Sequence, residues 1–264
     1  MMKTALLACM IWAWTPGHTS AQEATPLSGK RLTDDFIREE MVYPESALKN
    51  KVEGTVVLQF IVDPKGNVSN LQVIESVSPA LDEEAQRIFR KIIWLPGTRL
   101  GRNVTTENTF EIRFKVRKYE KICRQRGYDR PAYPHEPVDP GFSIYEKEEV
   151  EISPRPVFSS LNRNLGEFVS ENMKYPEAAF KQNISGTVEL GFVVEPSGRI
   201  SNIHVVNPVG GGCTEEAIRL AKMIRWHPGI RDDMAVRVFN SLSITFDIAG
   251  HSVDGTVPVP GQIH

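Results

Sequence analysis

The feature that most constrains this chain is an internal repeat. Shifting the 264-residue sequence by 132 positions aligns residues 36–116 with residues 168–248 without a gap. Of the 81 aligned positions, 33 are identical. A unit of about 100 residues is long enough to bury a core of its own. The repeat therefore indicates two copies of one small domain rather than a single large domain.

Both copies carry the same succession of secondary-structure signals. In the first copy, residues 54–62 place apolar side chains at every second position, which is typical of a strand buried on one side. Residues 63–66 have Pro at the second and Gly at the fourth position of a turn, which predicts a hairpin into a second strand over 68–75. The second copy repeats this pattern over residues 186–207.

A helix and a long final strand complete each copy. Apolar side chains at helical spacing over residues 85–92 predict an amphipathic helix, with Asp82 as its N-cap and Thr214 in the same role in the second copy. Alternating side chains over 109–116 and 241–248 predict the final strand. With the short helix that each Tyr-Pro-Glu motif opens, each copy reads α-β-β-α-β. We expect an α+β fold, in which each copy is a three-stranded antiparallel sheet covered by helices, with its first strand in the centre.

The chain begins with the pattern of a secretory signal peptide. Lys3 precedes an apolar run over residues 5–14, and small residues follow as far as Ala21, after which cleavage is expected. Acylation of Cys9, as in a lipoprotein, is the alternative. The predicted boundaries are a signal peptide at 1–21, a first domain at 32–117, a Pro-rich charged linker at 118–163, a second domain at 164–249 and a disordered tail at 250–264.

The linker has its own composition. Proline recurs at every third position from Pro131 to Pro140, which is typical of polyproline II, and a basic stretch over 115–130 precedes an acidic one over 136–151. The linker is either a semi-rigid spacer or an ordinary solvated connection. Cys123 lies in this irregular segment and Cys213 precedes the second-copy helix. An exported location permits a disulfide, and the sequence leaves open whether the two cysteines pair.

Composition and motifs exclude several classes of function. A net charge of −2 gives no attraction to nucleic acid, so no nucleic-acid partner is expected. None of the six histidines has metal-ligand spacing, and no nucleophile or phosphate-binding motif occurs in a strand-to-helix context. We therefore expect no catalytic residue, metal or cofactor, and no enzyme. Residues 210–213, Gly-Gly-Gly-Cys, either cradle an anion or activate the thiol, or they form a simple turn before a helix.

Five motifs in a fixed order carry a family resemblance. They are Tyr-Pro-Glu-x-Ala at 43–47 and 175–179, Gly-Thr-Val at the first strand, the turn with Pro and Gly, Glu-Glu-Ala at the helix start, and Trp-x-Pro-Gly before the final strand. Both copies resemble the TonB C-terminal domain family, and the second resembles its Bacteroidetes-type form.

The resemblance implies a non-enzymatic periplasmic module of a Gram-negative energy transducer. Such a module binds a short extended segment of outer-membrane TonB-dependent receptors by adding it to the edge of its final strand. The partner-binding residues that this implies are Tyr43, Pro44, Glu111, Arg113 and Lys115 in the first copy, and Tyr175, Pro176, Ser243 and Thr245 in the second.

Two further expectations concern the partners. The apolar run at 5–14 is shorter than the roughly 20 residues that span a bilayer, so an inner-membrane motor complex would be reached through another subunit. The alternative function is that of a structural envelope protein, in which these domains serve self-association, for example as a homodimer, without energy coupling.

Overall fold

The computed structural model describes residues 21–158 and 164–248. The predicted tail and all but the last residue of the predicted signal peptide lie outside this range. The first part contains β1 (Thr25–Pro26), α1 (Gly29–Glu40), α2 (Glu45–Lys49), β2 (Gly54–Val62), β3 (Val68–Glu75), α3 (Pro79–Phe89), β4 (Trp94–Leu95), β5 (Gly97–Arg99), β6 (Arg102–Val104), β7 (Thr106–Phe114) and α4 (Val116–Arg126). The second part contains β8 (Ile144–Tyr145), a 3-10 turn (Lys147–Glu149), β9 (Arg155–Val157), α5 (Leu165–Asn172), α6 (Glu177–Lys181), β10 (Gly186–Val194), β11 (Ile200–Asn207), α7 (Cys213–Met223), β12 (Arg225–His227), β13 (Gly229–Arg231) and β14 (Met234–Phe246).

The predicted α+β fold and the position of the first strand are confirmed. In the first copy β2 lies between β3 and β7, and all three strands are antiparallel. In the second copy β10 lies in the same way between β11 and β14. The matching residues Gly54 and Gly186 pair with Phe114 and Phe246. The two copies therefore share their register as well as their order.

The second sheet is larger than the expected three strands. Its final strand is 13 residues long and begins beyond the end of β10. β13 pairs antiparallel with residues 234–236, and β8 pairs parallel with residues 237–238. These two short strands make the second sheet five-stranded.

Each copy buries its own aromatic core between the sheet and helix α3 or α7. Phe60 and Phe192 occupy equivalent places on the central strands and are completely buried. The Phe60 and Trp94 rings are 4.5 Å apart between centroids, and the Phe192 and Trp226 rings are 5.4 Å apart. The tryptophan of each Trp-x-Pro-Gly motif thus belongs to the core.

The hairpin glycine and the Trp-x-Pro-Gly motif meet in space. Gly198 has a φ of +71°, and a Cβ there would lie 2.2 Å from the carbonyl oxygen of Trp226. Gly66 has a φ of +87°, and its Cβ would lie 2.6 Å from the carbonyl oxygen of Trp94. Only glycine fits both the backbone angle and this close approach, which explains why the two motifs recur together.

The predicted N-caps are wrong. Helix α3 begins at Pro79, four residues before the start that an N-cap at Asp82 implies, and the Ser78 side chain accepts its capping bond. Helix α7 begins at Cys213 after Gly212. Asp82 instead accepts from the backbone N–H of Val77 at 3.1 Å, and Thr214 accepts from that of Val209 at 3.0 Å. The side chains of Asp82 and Thr214 therefore stabilise the loop that precedes each helix.

A helix occupies the start of the expected linker. α4 begins at Val116, with one residue between it and the end of β7, so the final strand ends two residues earlier than expected. Val116 and Tyr119 are buried in the first core, and Cys123 packs against it. The Arg126 guanidinium donates to the backbone oxygen of Glu39 at 2.6 Å. α4 is therefore packed on the first copy, in place of the irregular segment that the sequence suggested.

Further along, the connection lies against the second copy in the part that the structure describes, which ends at residue 158. β9 pairs with β12, β8 pairs with β14, and Val138 and Ile152 form isolated bridges with Ala235 and Ile230. The connection thus differs from both expected forms, since it neither spaces the copies apart nor extends freely into solvent.

The two copies are in direct contact. Helix α1 of the first copy lies against β11 of the second, and Leu32 packs against the second core. At the margin, the Lys222 ammonium lies 3.4 Å from the Asp35 carboxylate and 3.1 Å from that of Glu39. The contact therefore combines an apolar centre with charged pairs at its rim.

A group of polar side chains, which we call the buried charge cluster, also joins the two copies. It consists of Glu195, Arg237, Lys91 and Asn202. Glu195, 1% exposed, lies 2.9 Å from the Arg237 guanidinium and 3.4 Å from the Lys91 ammonium of the first copy. Arg237 and Asn202 both donate to the backbone oxygen of Lys91, at 2.8 and 2.9 Å. Asn202 also accepts from the backbone N–H of Ile93 at 2.8 Å.

The cluster holds Glu195 in its charged form. Burial by itself would raise the pKa of this carboxyl, but the positive charges of Arg237 and Lys91 outweigh burial and lower the pKa from 4.5 to about 2. A carboxyl whose folded pKa is depressed stabilises the fold above its unfolded pKa. That contribution is lost as the pH falls toward the folded value.

We expect the protein to lose stability between about pH 4.5 and pH 2 in a way that depends on Glu195. A depression from 4.5 to about 2 corresponds to roughly 3 kcal/mol of the free energy of unfolding at neutral pH. We expect urea unfolding at a series of pH values to show that the free energy of unfolding falls less between pH 4.5 and pH 2 in Glu195→Gln than in the wild type. Equal acid losses in the two proteins would show that Glu195 is not held by its cationic neighbours.

Candidate functional site

The outer edge of β7 is open. β7 pairs with β2 from Thr106 to Phe114, and no strand in the described part of the chain pairs with its other edge. An edge strand leaves alternate N–H and C=O groups without a partner in the sheet. The edge therefore offers main-chain hydrogen bonds to an added strand.

This edge borders a groove of about 570 Å³, which we call the edge groove. Its walls are β7, α1 and α4, so it lies in the first copy alone. The apolar part of its lining consists of Ile37, Met41, Phe110, Ile112, Tyr119 and Ile122. Such a lining lets the groove accept apolar side chains next to an added backbone.

Cations outnumber carboxylates along the edge groove. The cations are Lys30, Arg38, Arg113, Lys115 and Lys118, and the carboxylates are Asp34 and Glu111. Arg113 lies 2.8 Å from Glu111, and Lys115 lies 3.6 Å from Glu53. Lys118 has no carboxylate within 4.0 Å in residues 21–158 and 164–248. The groove therefore carries a net positive charge.

The structure brings the three charged residues predicted on the first final strand to this groove. Glu111, Arg113 and Lys115 are exposed and line the edge groove. Hydrogen bonding and the charge of Glu111 raise the pKa of Arg113. Both side chains of that pair are more than half exposed, so the pair contributes little to stability and can rearrange around a ligand.

The Tyr-Pro motifs lie elsewhere. Tyr43 is 2% exposed, and its hydroxyl donates to the backbone oxygen of Val52. Burial, and secondarily the charge of Glu53, raises its pKa to about 12. Tyr175 is half-buried, and its hydroxyl donates to the backbone oxygen of Ile184 at 2.7 Å.

Pro44 and Pro176 directly precede α2 and α6 and are half-buried. The hydroxyl of each motif tyrosine donates its hydrogen bond to a backbone oxygen of its own copy. We therefore propose that the Tyr-Pro motifs stabilise the fold. We accordingly propose the exposed strand edge as the partner surface, and a partner-binding role of the four motif residues stays an untested prediction.

The second copy presents its final strand differently. β8 and the bridge of Val138 to Ala235 cover the first part of the outer edge of β14, at residues 235–238. Ser243 and Thr245 lie beyond this part and are half-buried. The Thr245 hydroxyl is 2.9 Å from that of Thr187 on β10. From residue 239 to residue 246 the outer edge of β14 has no partner strand among the described residues either, but the edge groove borders the first copy alone.

Sequence reasoning missed the helical walls of the groove. Lys118, Tyr119 and Ile122 come from α4, whose stretch had been assigned to the linker. The signal was present, because Val116, Tyr119 and Cys123 recur at intervals of three and four residues, as on one helix face. Val116 also fits the alternation of apolar and polar side chains in the preceding strand. The change from strand spacing to helix spacing was therefore not recognised.

The structure presents no metal centre in the residues it describes, since no three His, Cys, Asp or Glu side chains there are grouped to hold an ion. Cys123 and Cys213 are free thiols. Burial, with the charge of Glu215, raises the pKa of Cys213, which opposes activation of its thiol. Gly211 lies so close to Ala179 that a Cβ there would approach it within 2.8 Å. Gly211 therefore permits close packing of the helix start.

Comparison with known families decides the identity of the two copies. The model of the Gram-negative bacterial TonB protein C-terminal domain matches residues 39–116 and again residues 171–248. The chain belongs to this family. No curated protein matches the chain. The tandem TonB C-terminal domains that the repeat and its motifs predicted are thereby confirmed.

Membership of the TonB family gives the broad function. The family consists of non-catalytic protein-interaction domains of the Gram-negative periplasm, with a TonB-like role in energy-coupled transport. Its members generally interact with outer-membrane receptors. None of the described helices is long and apolar enough to cross a membrane.

Proposed function

We propose that this protein binds extended segments of outer-membrane transporters or related envelope proteins by strand addition at the outer edge of β7. The observation that supports this most is the open edge itself, which borders a groove of about 570 Å³. Main-chain bonds would supply affinity, and the groove would select side chains at alternate positions. The protein would act in or near energy-coupled transport, with any motor complex reached through another subunit.

The expected affinity is modest. Each main-chain hydrogen bond contributes a net of about 0.5–1.5 kcal/mol, and ordering a flexible peptide offsets part of that gain. We therefore expect weak, reversible binding. Such binding suits a module that engages and releases its partners.

Site-specific photo-crosslinking tests the location. A photoreactive residue in place of Thr109 on β7 should crosslink to receptor segments in cell envelopes, because Thr109 is exposed and lines the edge groove. The matched control is the same residue in place of Gln72 on β3, the opposite edge strand of the same sheet. Crosslinks from both positions alike, or from neither, would contradict binding at β7.

Backbone methylation tests the mode of binding. A captured receptor peptide should lose affinity when alternate nitrogens are methylated in one register and not in the other, because only one set of N–H groups faces the strand. Indifference to methylation would contradict strand addition.

Self-association is the second candidate, because the same open edge could pair with β7 of another chain. Crosslinks from the Thr109 position to a second copy of this chain alone, together with a dimer in solution, would favour the structural role over receptor binding.

A further inference from the structure

A second cavity continues the edge groove toward the other copy. It measures about 540 Å³ and is bounded by α1, α4 and residues of the second copy. Arg38, Lys118 and Ile122 line both cavities. The two therefore form one continuous surface, which we call the basic channel.

One face of α4 lines the inner part of the channel. Lys118, Lys121 and Gln125 follow one another at helical spacing and all line the second cavity. Lys118 and Lys121 are exposed, and neither lies within 4.0 Å of a carboxylate in the part of the chain that the structure describes. These two ammonium groups are thus available to a ligand.

The far wall of the channel adds further cations. Arg126, Arg199 and Arg225 line the second cavity, and the carboxylates there are Asp35 and Glu39. Glu39 lies 3.7 Å from Arg199. Burial, followed by repulsion from Arg225, lowers the pKa of Arg199. A negative ligand group would relieve this repulsion.

Along the whole channel, positive side chains exceed negative ones by about two to one. The cations are Lys30, Arg38, Arg113, Lys115, Lys118, Lys121, Arg126, Arg199 and Arg225, and the carboxylates are Asp34, Asp35, Glu39 and Glu111. The chain as a whole is slightly negative, with a net charge of −2. The positive charge is therefore a local property of this channel.

We propose that the segment bound at β7 is acidic, and that its carboxylates reach Lys118 and Lys121 of α4. This inference rests on the proposed strand addition and adds the chemistry of the partner. The strand edge would fix the peptide backbone, while the α4 lysines would attract its acidic side chains and select against neutral segments. An anionic membrane fits less well, since the cations line a recess beside unpaired backbone groups rather than a flat face.

A matched pair of peptides tests the charge preference. The probe is an acetylated peptide of about eight residues, in which valine and threonine alternate and several positions carry aspartate. Its partner has asparagine at those positions. With the chain that begins at Gln22, we expect the acidic peptide to bind about tenfold more tightly at low ionic strength. The difference should shrink as salt is added, because exposed charges are screened.

Two double variants locate the effect. Lys118→Gln with Lys121→Gln should abolish the preference for the acidic peptide. Lys49→Gln with Lys65→Gln changes the net charge equally at exposed positions outside the channel and should leave the preference intact. Circular dichroism of both variants verifies that the fold is unchanged.

The outcomes separate this inference from the proposed function. Equal binding of the two peptides, with sensitivity to backbone methylation, would overturn the acidic preference and leave strand addition standing. No binding of either peptide at millimolar concentration would overturn both. Sedimentation with anionic phosphatidylglycerol vesicles that depends on Lys118 and Lys121, without a peptide preference, would assign the channel to a membrane surface and overturn the inference.

Discussion

Replacing Arg237 with alanine is expected to lower the free energy of unfolding by about 3–5 kcal/mol, because it leaves a buried carboxylate without its main partner. Arg237 is 3% exposed and lies 2.9 Å from Glu195. After the substitution, Glu195 would keep the hydrogen bond from the Ser201 hydroxyl, at 2.5 Å, and the more distant Lys91 ammonium, at 3.4 Å. The backbone oxygens of Lys91 and Phe142 would also lose the donor that Arg237 provides. Urea unfolding followed by circular dichroism measures the effect.

Two further variants check the cause of the Arg237 effect. Lys181→Ala removes an exposed ion pair with Glu177 on α6 and should change the free energy of unfolding by no more than about 0.5 kcal/mol. Arg237→Met combined with Glu195→Met removes both charges and should be less destabilised than Arg237→Ala. If Arg237→Ala were as mild as Lys181→Ala, the buried charge cluster would not contribute to stability.

The second large effect on the free energy of unfolding is expected from truncating a buried phenylalanine in either aromatic core. Phe60→Ala and Phe192→Ala should each cost about 3–5 kcal/mol, because both side chains are completely buried. Since α1 and the buried charge cluster join the copies, we expect either substitution to destabilise both copies in one cooperative transition. Independent domains would instead show a shift in the mutated copy alone.

Tryptophan fluorescence can follow each copy separately. Trp94 and Trp226 are the two tryptophans beyond residue 21, one in each core. Trp226→Phe leaves a reporter in the first copy, and Trp94→Phe leaves one in the second. In the Phe60→Ala background both reporters should shift together. If the reporter of the second copy kept its wild-type transition, the copies would fold independently.

The repeated elements could be predicted because local patterns determine them. The alternation over 54–62 places a strand with one buried face, and its recurrence 132 positions later makes the assignment stronger than either copy alone. The N-caps were missed for a local reason. Asp82 and Ser78 are both good capping residues, and the signal that favours the earlier one is Pro79 at the first helical position.

The site was only partly predictable, because its parts come from distant segments. The polar face of β7 followed from alternation, so Glu111, Arg113 and Lys115 were found. The groove beside them needs α1 and α4, and nothing in the strand indicates which helices pack next to it. Burial of Glu195 was equally hidden, since it occupies the same turn position as the partly exposed Asp63. The two acids differ because Arg237 stands where the first copy has Thr105, and because Lys91 of the other copy approaches Glu195.

The contact between the copies has a consequence for assembly. It is head-to-tail, because α1 of the first copy meets β11 of the second, whereas a two-fold contact would join equivalent surfaces. A head-to-tail contact between like units can continue indefinitely and build a filament. A third unit could add to this chain only through the equivalent residues of the two copies, and these differ. Asp63 stands in place of Glu195, Thr105 in place of Arg237 and Met223 in place of Lys91. The broken symmetry of the duplication therefore disfavours continuation of the contact beyond two units.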